Sequence, residues 1–400
     1  MRIDMHIHAI GNGRDLKKVD EDIYFNADDN NHWFTRILYN MIENDLERLG
    51  ADFQRDGRIS ADEYFEFMYA QLATSEEIDG IVLLALDAVY SPKAGKLDEK
   101  KTDLWVSNRF LHHAVAALNE RLQKEADPAK RKKKFFFGAS VSPNRKDWEE
   151  ELAYVLTETS AVLVKLVPSA QHIYLMDSGH AAFYQALAAH HMPLLCHVGP
   201  EYAFPEGIRK RQLDNFRYLE KPLEYGVTVI AAHCATPVFP LIEQSQTKEF
   251  YAMMKDANSG GTVRLWGDTS ALSLSTRISL MSTILDTFPL EWLVHGSDSP
   301  LPIDGWIHLP WVTYDVTPQE YIQVWKTKNS LDKDVRIKRA HGFPDAILEN
   351  AEKVLRLPSP KAEAGSGLAS REAAPYPPIP EISLDPANAQ KTEVKDRRGR

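Results

Sequence analysis

Eight short apolar runs, rich in β-branched and aromatic residues, recur along the 400-residue chain with longer amphipathic stretches between them. Near-continuous apolar runs of this kind are typical of strands covered on both faces, as in parallel sheets. From the third run onward, successive starts lie roughly 27 to 35 residues apart, the size of one strand–helix unit. The pattern predicts an α/β fold in which eight units close into a (β/α)8 TIM barrel. The runs cover residues 2–8, 80–89, 134–143, 161–168, 193–199, 228–234, 262–272 and 292–298.

The interval between the first and second runs is much longer than the others and predicts a helical insertion over residues 11–79. Stretches 33–49 and 64–72 have the apolar spacing of helices. Because the chain leaves strand one at the mouth where barrel active sites lie, the insertion either caps the site or packs on the barrel's flank.

The end of the chain changes character near residue 358. Residues 358–400 are rich in proline, alanine, serine and charge, and they lack the large aliphatic side chains needed to offset the entropy of ordering. We therefore expect a disordered tail after a single barrel domain that covers residues 1–357 and ends with a helix over 345–356. Helices are also expected over 147–157 and 180–191.

Charge and cysteine content limit the partners and the compartment. The 47 basic and 57 acidic residues give a net charge of −10, which argues against a nucleic-acid partner. The sequence contains no apolar run of the roughly 18 to 20 residues that cross a bilayer and no leader-like apolar stretch at its start. Two cysteines, Cys196 and Cys234, favour a reducing cytoplasm. A small-molecule substrate is therefore expected, and a homodimer stays open.

Histidines and one aspartate occur where the predicted strands end. His6 and His8 alternate on strand one and therefore face the same side, close enough to share an ion. His197, His233 and Asp298 each follow a later apolar run, and the carboxyl ends of barrel strands converge on one mouth. Imidazole and carboxylate ligands suit first-row divalent metals, so the pattern predicts a metal site.

The order of these residues resembles that of the amidohydrolase superfamily. The segments DMHIHA, PLLCHVG, VIAAHC and LVHGSDSP resemble, more narrowly, the amidohydrolase-related family, which includes aminocarboxymuconate semialdehyde decarboxylase and related decarboxylases and hydrolases. The resemblance covers about residues 1–357 apart from the insertion. It is specific for the fold and much less specific for the reaction.

The resemblance implies a ligand set and two proton-handling groups. His6, His8, His197 and Asp298 would bind one divalent metal, with Zn²⁺ expected and Mn²⁺ or Fe²⁺ as alternatives. His233 would lie beside the open coordination position, and Asp298 would also take a proton from bound water. Ligation of a second metal by His233 is the alternative.

Lys165 and Arg145 are further candidates for the site. Lys165, on predicted strand four, is expected to present an unmodified ammonium to the substrate; the alternatives are a carboxylated lysine that bridges two metals and a solvent-facing side chain. Arg145, after strand three, would bind a substrate carboxylate with two hydrogen bonds or is an ordinary surface arginine. Glu201, Asp268 and Ser270 are expected to support the ligands.

The insertion also contains a pattern that matches the calcium loop of an EF-hand over residues 52–63. Gln54 departs from the usual acidic residue, and the sequence offers no partner hand. Ca²⁺ binding is therefore one interpretation, and a loop that Gly57 merely turns is the other. The candidate ligands are Asp52, Gln54, Asp56, Arg58, Ser60 and Glu63.

Together these features predict a metal-dependent hydrolase of the amidohydrolase type, in which metal-activated water attacks an ester, lactone or amide carbonyl. The first alternative is a metal-dependent nonoxidative decarboxylase of a small unsaturated or aromatic acid, which uses the same ligand set. The second is a catalytically inactive barrel that acts as a calcium-linked binding protein.

Overall fold

Eight parallel strands form the barrel in this computed structural model, which describes residues 1–53, 59–303 and 316–358. Each strand pairs with the next one along the chain. Two backbone hydrogen bonds join the last strand region to the first: Met5 N donates to the His295 carbonyl at 3.1 Å, and His8 N donates to the Ser299 carbonyl at 2.8 Å. The predicted α/β barrel is confirmed. Its strands are β1 (Ile3–His8), β2 (Gly80–Leu84), β3 (Lys134–Ala139), β4 (Ala161–Leu166), β5 (Leu194–Cys196), β6 (Val229–Ala231), β7 (Leu265–Asp268) and β8 (Leu293–Val294).

Helices fill the connections between the strands and shield the outer face of the barrel. A small antiparallel ribbon, Tyr24–Phe25 with Leu104–Trp105, lies outside the barrel. Among the described residues no helix is both long and apolar enough to cross a membrane. The α-helices cover Trp33–Arg48, Ala61–Thr74, Asn108–Gln123, Pro128–Arg131, Trp148–Thr157, Pro168–Gln171, Ala181–Ala189, Pro205–Lys210, Glu220–Glu224, Thr247–Ala257, Met281–Thr287, Pro318–Lys326, Ser330–Ala340, Ala346–Glu349 and Ala351–Val354.

The insertion after β1 combines both arrangements that the sequence left open. Its first helix, Trp33–Arg48 (the cap helix), contributes residues 36–43 to the wall of the cavity at the barrel mouth. Its second helix, Ala61–Thr74 (the flank helix), buries Tyr64 and Met68 completely in the main core. The apolar spacing of the two segments is similar, so the sequence pattern alone could not separate their roles.

The predicted helix over 345–356 is wrong in one respect, because it is interrupted at Asn350. The Asn350 side chain is buried and its amide donates to the carbonyls of Leu290 at 3.0 Å and Leu293 at 2.8 Å. These bonds connect the interruption to β8. Two short helical segments, Ala346–Glu349 and Ala351–Val354, therefore replace one helix.

The calcium-loop prediction gains no support from the described residues. Gln54, Asp56 and Arg58 lie outside them, as does the tail predicted to be disordered beyond residue 358. Ser60 and Glu63 bond to each other as a capping box at the start of the flank helix: Glu63 N donates to Ser60 Oγ at 3.2 Å, and Ser60 N donates to Glu63 Oε2 at 3.0 Å. Both side chains therefore have a structural role in starting the helix.

Candidate metal centre

The carboxyl end of β1 and the loop after β8 bring three ligand-type side chains together. The Nε2 atoms of His6 and His8 lie 3.2 Å apart, and Asp298 Oδ1 lies 3.3 Å from each of them. The ligand atoms of the three residues all fall within 4.8 Å of one another. Two imidazole nitrogens and a carboxylate oxygen at this separation fit a single divalent metal ion.

Asp268, at the end of β7, fixes the orientation of His6. Its Oδ2 lies 2.7 Å from His6 Nδ1, and both side chains are fully buried. The nearby His6 outweighs the effect of burial and holds the pKa of Asp268 far below its usual range, so the carboxylate is ionised. The His6 Nδ1 proton therefore points at Asp268, and Nε2 is left with its lone pair facing His8 and Asp298.

His197 and His233 form a second pair of rings on the other side of Asp298. His233 Nε2 lies 3.2 Å from His197 Nδ1 and 3.8 Å from Asp298 Oδ2. Ser270 Oγ, 2.8 Å from His233 Nδ1, holds the far side of the ring. The structure thus brings all five predicted site residues to one mouth, but His197 lies outside the group of three atoms closest together.

The backbone at two of these positions is left-handed, which non-glycine residues seldom adopt. His233 has φ 58° and Asp298 has φ 66°. Such conformations cost about 1–3 kcal/mol each and persist only where the surroundings hold them. Here His233 N donates to Asp268 Oδ1 at 2.7 Å, and Asp298 N donates to the His6 carbonyl at 2.8 Å. The Asp268 carboxylate and the His6 carbonyl, both groups of the site, therefore hold these two backbone conformations in place.

Lys165 lies on β4 and points into the barrel. It is completely buried, and its Nζ lies 3.0 Å from His6 Nε2. The solvent-facing alternative is therefore wrong. Burial lowers the pKa of Lys165, although the carboxylates of Asp298 and Asp268 oppose the shift. The choice between a free amine and a carboxylated lysine stays a prediction.

Burial also sets the protonation of the remaining groups. It lowers the pKa of His233 to about 3 and that of His197 well below its usual value, so both rings are neutral near pH 7. Burial would raise the pKa of Asp298, but the neighbouring His233 and His6 outweigh it and hold this pKa well below its usual range. The site therefore holds neutral imidazoles beside an ionised carboxylate.

A cavity of about 610 Å³ opens above these residues. His8, His197, His233 and Asp298 contribute to its lining, as do Glu201 and the buried Arg277. The cap helix closes one side of it. Much of the remaining wall is apolar, and its aromatic side chains are Phe25, Phe34, Tyr39, Tyr202, Phe204 and Phe239.

Arg145 lies away from this cavity, in contrast to the substrate-binding role predicted for it. Its guanidinium donates two hydrogen bonds of 2.9 Å to Asp147 and lies 3.3 Å from Asp87 and 3.6 Å from Glu151. Three carboxylates therefore already engage the side chain, and it is absent from the cavity lining. The sequence shows the position of Arg145 after a strand but not these partners.

Arg277 is the functional candidate that sequence reasoning missed. It lies in the loop after β7, within the segment ALSLSTRISL, and is only 2% exposed. The sequence did contain a signal for this residue: Arg277 is the single arginine in a loop of apolar and hydroxyl-bearing residues that follows the carboxyl end of a strand.

A parallel (β/α)8 barrel with a His-His-Asp group at the carboxyl ends of its strands defines a metal-dependent barrel enzyme. The family model described as "Amidohydrolase" (Amidohydro_2) matches residues 3–357. The chain therefore belongs to this amidohydrolase family, as the sequence motifs indicated. No curated protein matches the chain.

Several solved structures are similar to the chain at low sequence identity. A TIM-barrel protein of Bordetella bronchiseptica is 15% identical with a TM-score of 0.48, covering 88% of this chain and 99% of its own. The 5-carboxyvanillate decarboxylase of Sphingomonas paucimobilis is 12% identical with a TM-score of 0.47, covering 89% and 99%. A second such decarboxylase, from Novosphingobium aromaticivorans and with bound manganese, is 12% identical with a TM-score of 0.37, covering 83% and 97%. Family membership rests on the family model and not on these similarities.

Proposed function

We propose that the protein is a metal-dependent decarboxylase that removes CO₂, without an oxidant, from a small acid with an aromatic or unsaturated body. The observation that carries this proposal is the group of aromatic side chains that line the same cavity as the candidate ligands. Phe34, Tyr202 and Phe239 line the same cavity as His8 and Asp298. Flat apolar molecules pack against such rings, while a few polar groups fix their orientation.

The apolar wall favours loss of CO₂ over attack by water. A carboxylate that enters this cavity gives up hydration. When its bond to the substrate carbon breaks, CO₂ leaves as a neutral molecule and the electron pair of that bond stays on the substrate, where the aromatic or unsaturated body delocalises the charge. A divalent ion held by His6, His8 and Asp298 would supply a Lewis acid that orients substrate oxygens and stabilises that charge.

The side chains of the chain itself supply the proton handling that the reaction needs. A proton must replace CO₂ on the substrate carbon. His233 and Asp298 both line the cavity, with Nε2 and Oδ2 3.8 Å apart, so each is placed to exchange a proton with a bound substrate. Ser270, bonded to His233 Nδ1, keeps the ring facing Asp298.

Hydrolysis of an ester, lactone or amide is the second candidate. It is favoured by the position of His233 and Asp298, which both line the cavity and can contact a water molecule beside a bound carbonyl group. A calcium-linked, catalytically inactive barrel has no supporting contact among the described residues.

Isotope incorporation separates the two reactions. Purified protein reconstituted with Mn²⁺ or Zn²⁺ is incubated with a panel of aromatic carboxylates, lactones and esters, in D₂O and separately in H₂¹⁸O. Decarboxylation releases CO₂ and places deuterium on the product carbon. Hydrolysis instead places ¹⁸O in the product acid. Product labelled only with ¹⁸O contradicts the decarboxylase proposal.

A further inference from the structure

The guanidinium of Arg277 is a buried cation in the wall of the cavity without a carboxylate partner in the described part of the chain. Its Nε donates to the Pro237 carbonyl at 3.2 Å and its Nη2 to the Thr236 carbonyl at 3.4 Å. No described carboxylate lies within the 4.0 Å ion-pair distance of it. Both bonds go to neutral acceptors, and they leave Nη1 without a described protein acceptor.

Arg14 and Arg36 also line the cavity, but both are exposed, whereas Arg277 is buried. Arg277 also differs from arginines that have carboxylate partners. Arg145, although mostly buried, has Asp147, Asp87 and Glu151 around it. Arg339 pairs with Glu77 and Asp345. Burying a cation without a partner is costly, so an unpaired one at a cavity wall indicates that the missing anion comes from the ligand.

The position of Arg277 places that anion beside the reactive groups. Thr236 and Pro237, which hold the guanidinium, follow His233 in the same loop after β6. Asp298 and Glu201 line the same cavity and lie beyond ion-pair distance, although their charges still act on Arg277. The fork of the guanidinium matches the two oxygens of a carboxylate.

We infer that Arg277 is the specificity-determining residue of this cavity and that it pairs with a carboxylate of the substrate. The inference rests on the proposed function, because both require that this cavity binds a substrate with an acidic group. It excludes neutral lactones and amides without an acidic group as preferred ligands. It also gives the largely apolar cavity a charged anchor.

The test compares benzoate with benzamide, which has the same ring and size without the negative charge. Dissociation constants are measured by calorimetry on Mn²⁺-loaded wild type, Arg277→Gln, Arg277→Lys and the matched control Arg264→Gln. Arg264 also donates to a backbone carbonyl, that of Leu223, but does not line the cavity. Metal content and thermal unfolding are recorded for each protein.

Arg277→Gln is expected to weaken benzoate binding by roughly 10- to 100-fold and to change benzamide binding by much less. Arg277→Lys should give an intermediate loss, since it keeps the charge but not the fork. Arg264→Gln should leave both affinities unchanged. A folded, metal-loaded Arg277→Gln protein that binds benzoate as wild type does overturns the inference.

A second measurement covers the case in which Arg277→Gln does not fold. Wild-type protein is treated with phenylglyoxal, and modification of Arg277 is followed by peptide mass spectrometry. Benzoate should protect Arg277 and benzamide should not; equal modification with either ligand overturns the inference. Both tests measure binding and do not depend on turnover. If benzoate binds through Arg277 but no acid releases CO₂, the proposed function fails and the inference about Arg277 does not.

Discussion

The Asp268 carboxylate and the His6 imidazole meet at 2.7 Å, both fully buried, and their contact decides which nitrogen of His6 faces the metal centre. Asp268 also accepts hydrogen bonds from the backbone of His233 and Ser270. One carboxylate at the end of β7 therefore positions groups that come from β1 and β6.

Asp268→Asn keeps the shape of the side chain but removes its charge. We expect metal affinity to fall by about 10- to 100-fold, because the amide cannot hold the His6 Nδ1 proton as a carboxylate does. Chelator competition measures the affinity. Asp286→Asn, an exposed change on helix Met281–Thr287, is the control and should retain full affinity. Equal affinity for the two variants would show that Asp268 does not orient His6.

His8→Ala removes one of the three ligand atoms that lie closest together. Bound metal per chain, measured by elemental analysis after dialysis, should fall roughly tenfold or more, since losing a ligand costs at least as much as losing its support. His113→Ala, an exposed histidine on helix Asn108–Gln123, should leave metal content unchanged. Unchanged metal content in His8→Ala would contradict the assignment of this metal centre.

Arg145→Gln tests the structural role that its contacts indicate. Removing the guanidinium leaves the buried Asp87 without its cation and should lower the free energy of unfolding by on the order of 3 kcal/mol. Arg109→Gln removes a half-exposed partner of Glu151 and should cost less than about 1 kcal/mol. Urea unfolding measures both. Equal losses for the two variants would contradict a buried role for Arg145.

Asp103 gives a pH-dependent prediction that is independent of the metal centre. Burial, the neighbouring Asp29 and further nearby charges raise its pKa from 3.8 to about 8, and its Oδ1 has no hydrogen-bond donor among the described residues. Arg209, bonded to Asp29 at 2.8 Å, keeps that second carboxyl ionised, so the proton stays on Asp103.

The direction of the pH dependence follows from the pH at which Asp103 releases its proton in the folded and in the unfolded protein. The unfolded chain ionises Asp103 near pH 4, whereas the folded protein retains the proton until about pH 8, so this residue increasingly destabilises the fold as pH rises between those values. Asp103→Asn does not titrate and should be more stable than wild type by about 1–3 kcal/mol at pH 8, with the difference disappearing near pH 4. Urea unfolding across this pH range checks it. A difference that stays constant across this pH range would contradict the raised pKa of Asp103.

The barrel and the ligand-bearing positions were predictable because both depend on repetition along the chain. Strand periodicity gives the sheet, and the carboxyl ends of parallel strands meet at one mouth wherever they lie in the sequence. His6, His8 and Asp298 therefore needed no knowledge of distant contacts. The left-handed backbone of Asp298 and the complete burial of His6, by contrast, appear only once the strands have closed.

Features that depend on a single long-range contact were not predictable. The sequence around Asn350 does not predict that its side-chain amide donates to the carbonyls of Leu290 and Leu293. Both residues lie outside the helical region that Asn350 interrupts. Arg277 and Arg145 are both arginines in loops after strands, yet one faces the cavity and the other is surrounded by carboxylates. Only the folded positions of their partners separate them.

The cap helix belongs to the insertion that leaves the barrel after His8 and returns before β2, so this wall of the cavity lies in one contiguous stretch that contains none of the candidate ligands of the metal centre. Mutations confined to that stretch can change the shape of the cavity, and therefore which substrates bind, without moving the metal ligands. Related proteins could therefore acquire new substrates through mutation, deletion or recombination within this single insertion. Their reaction chemistry would be inherited intact from the barrel.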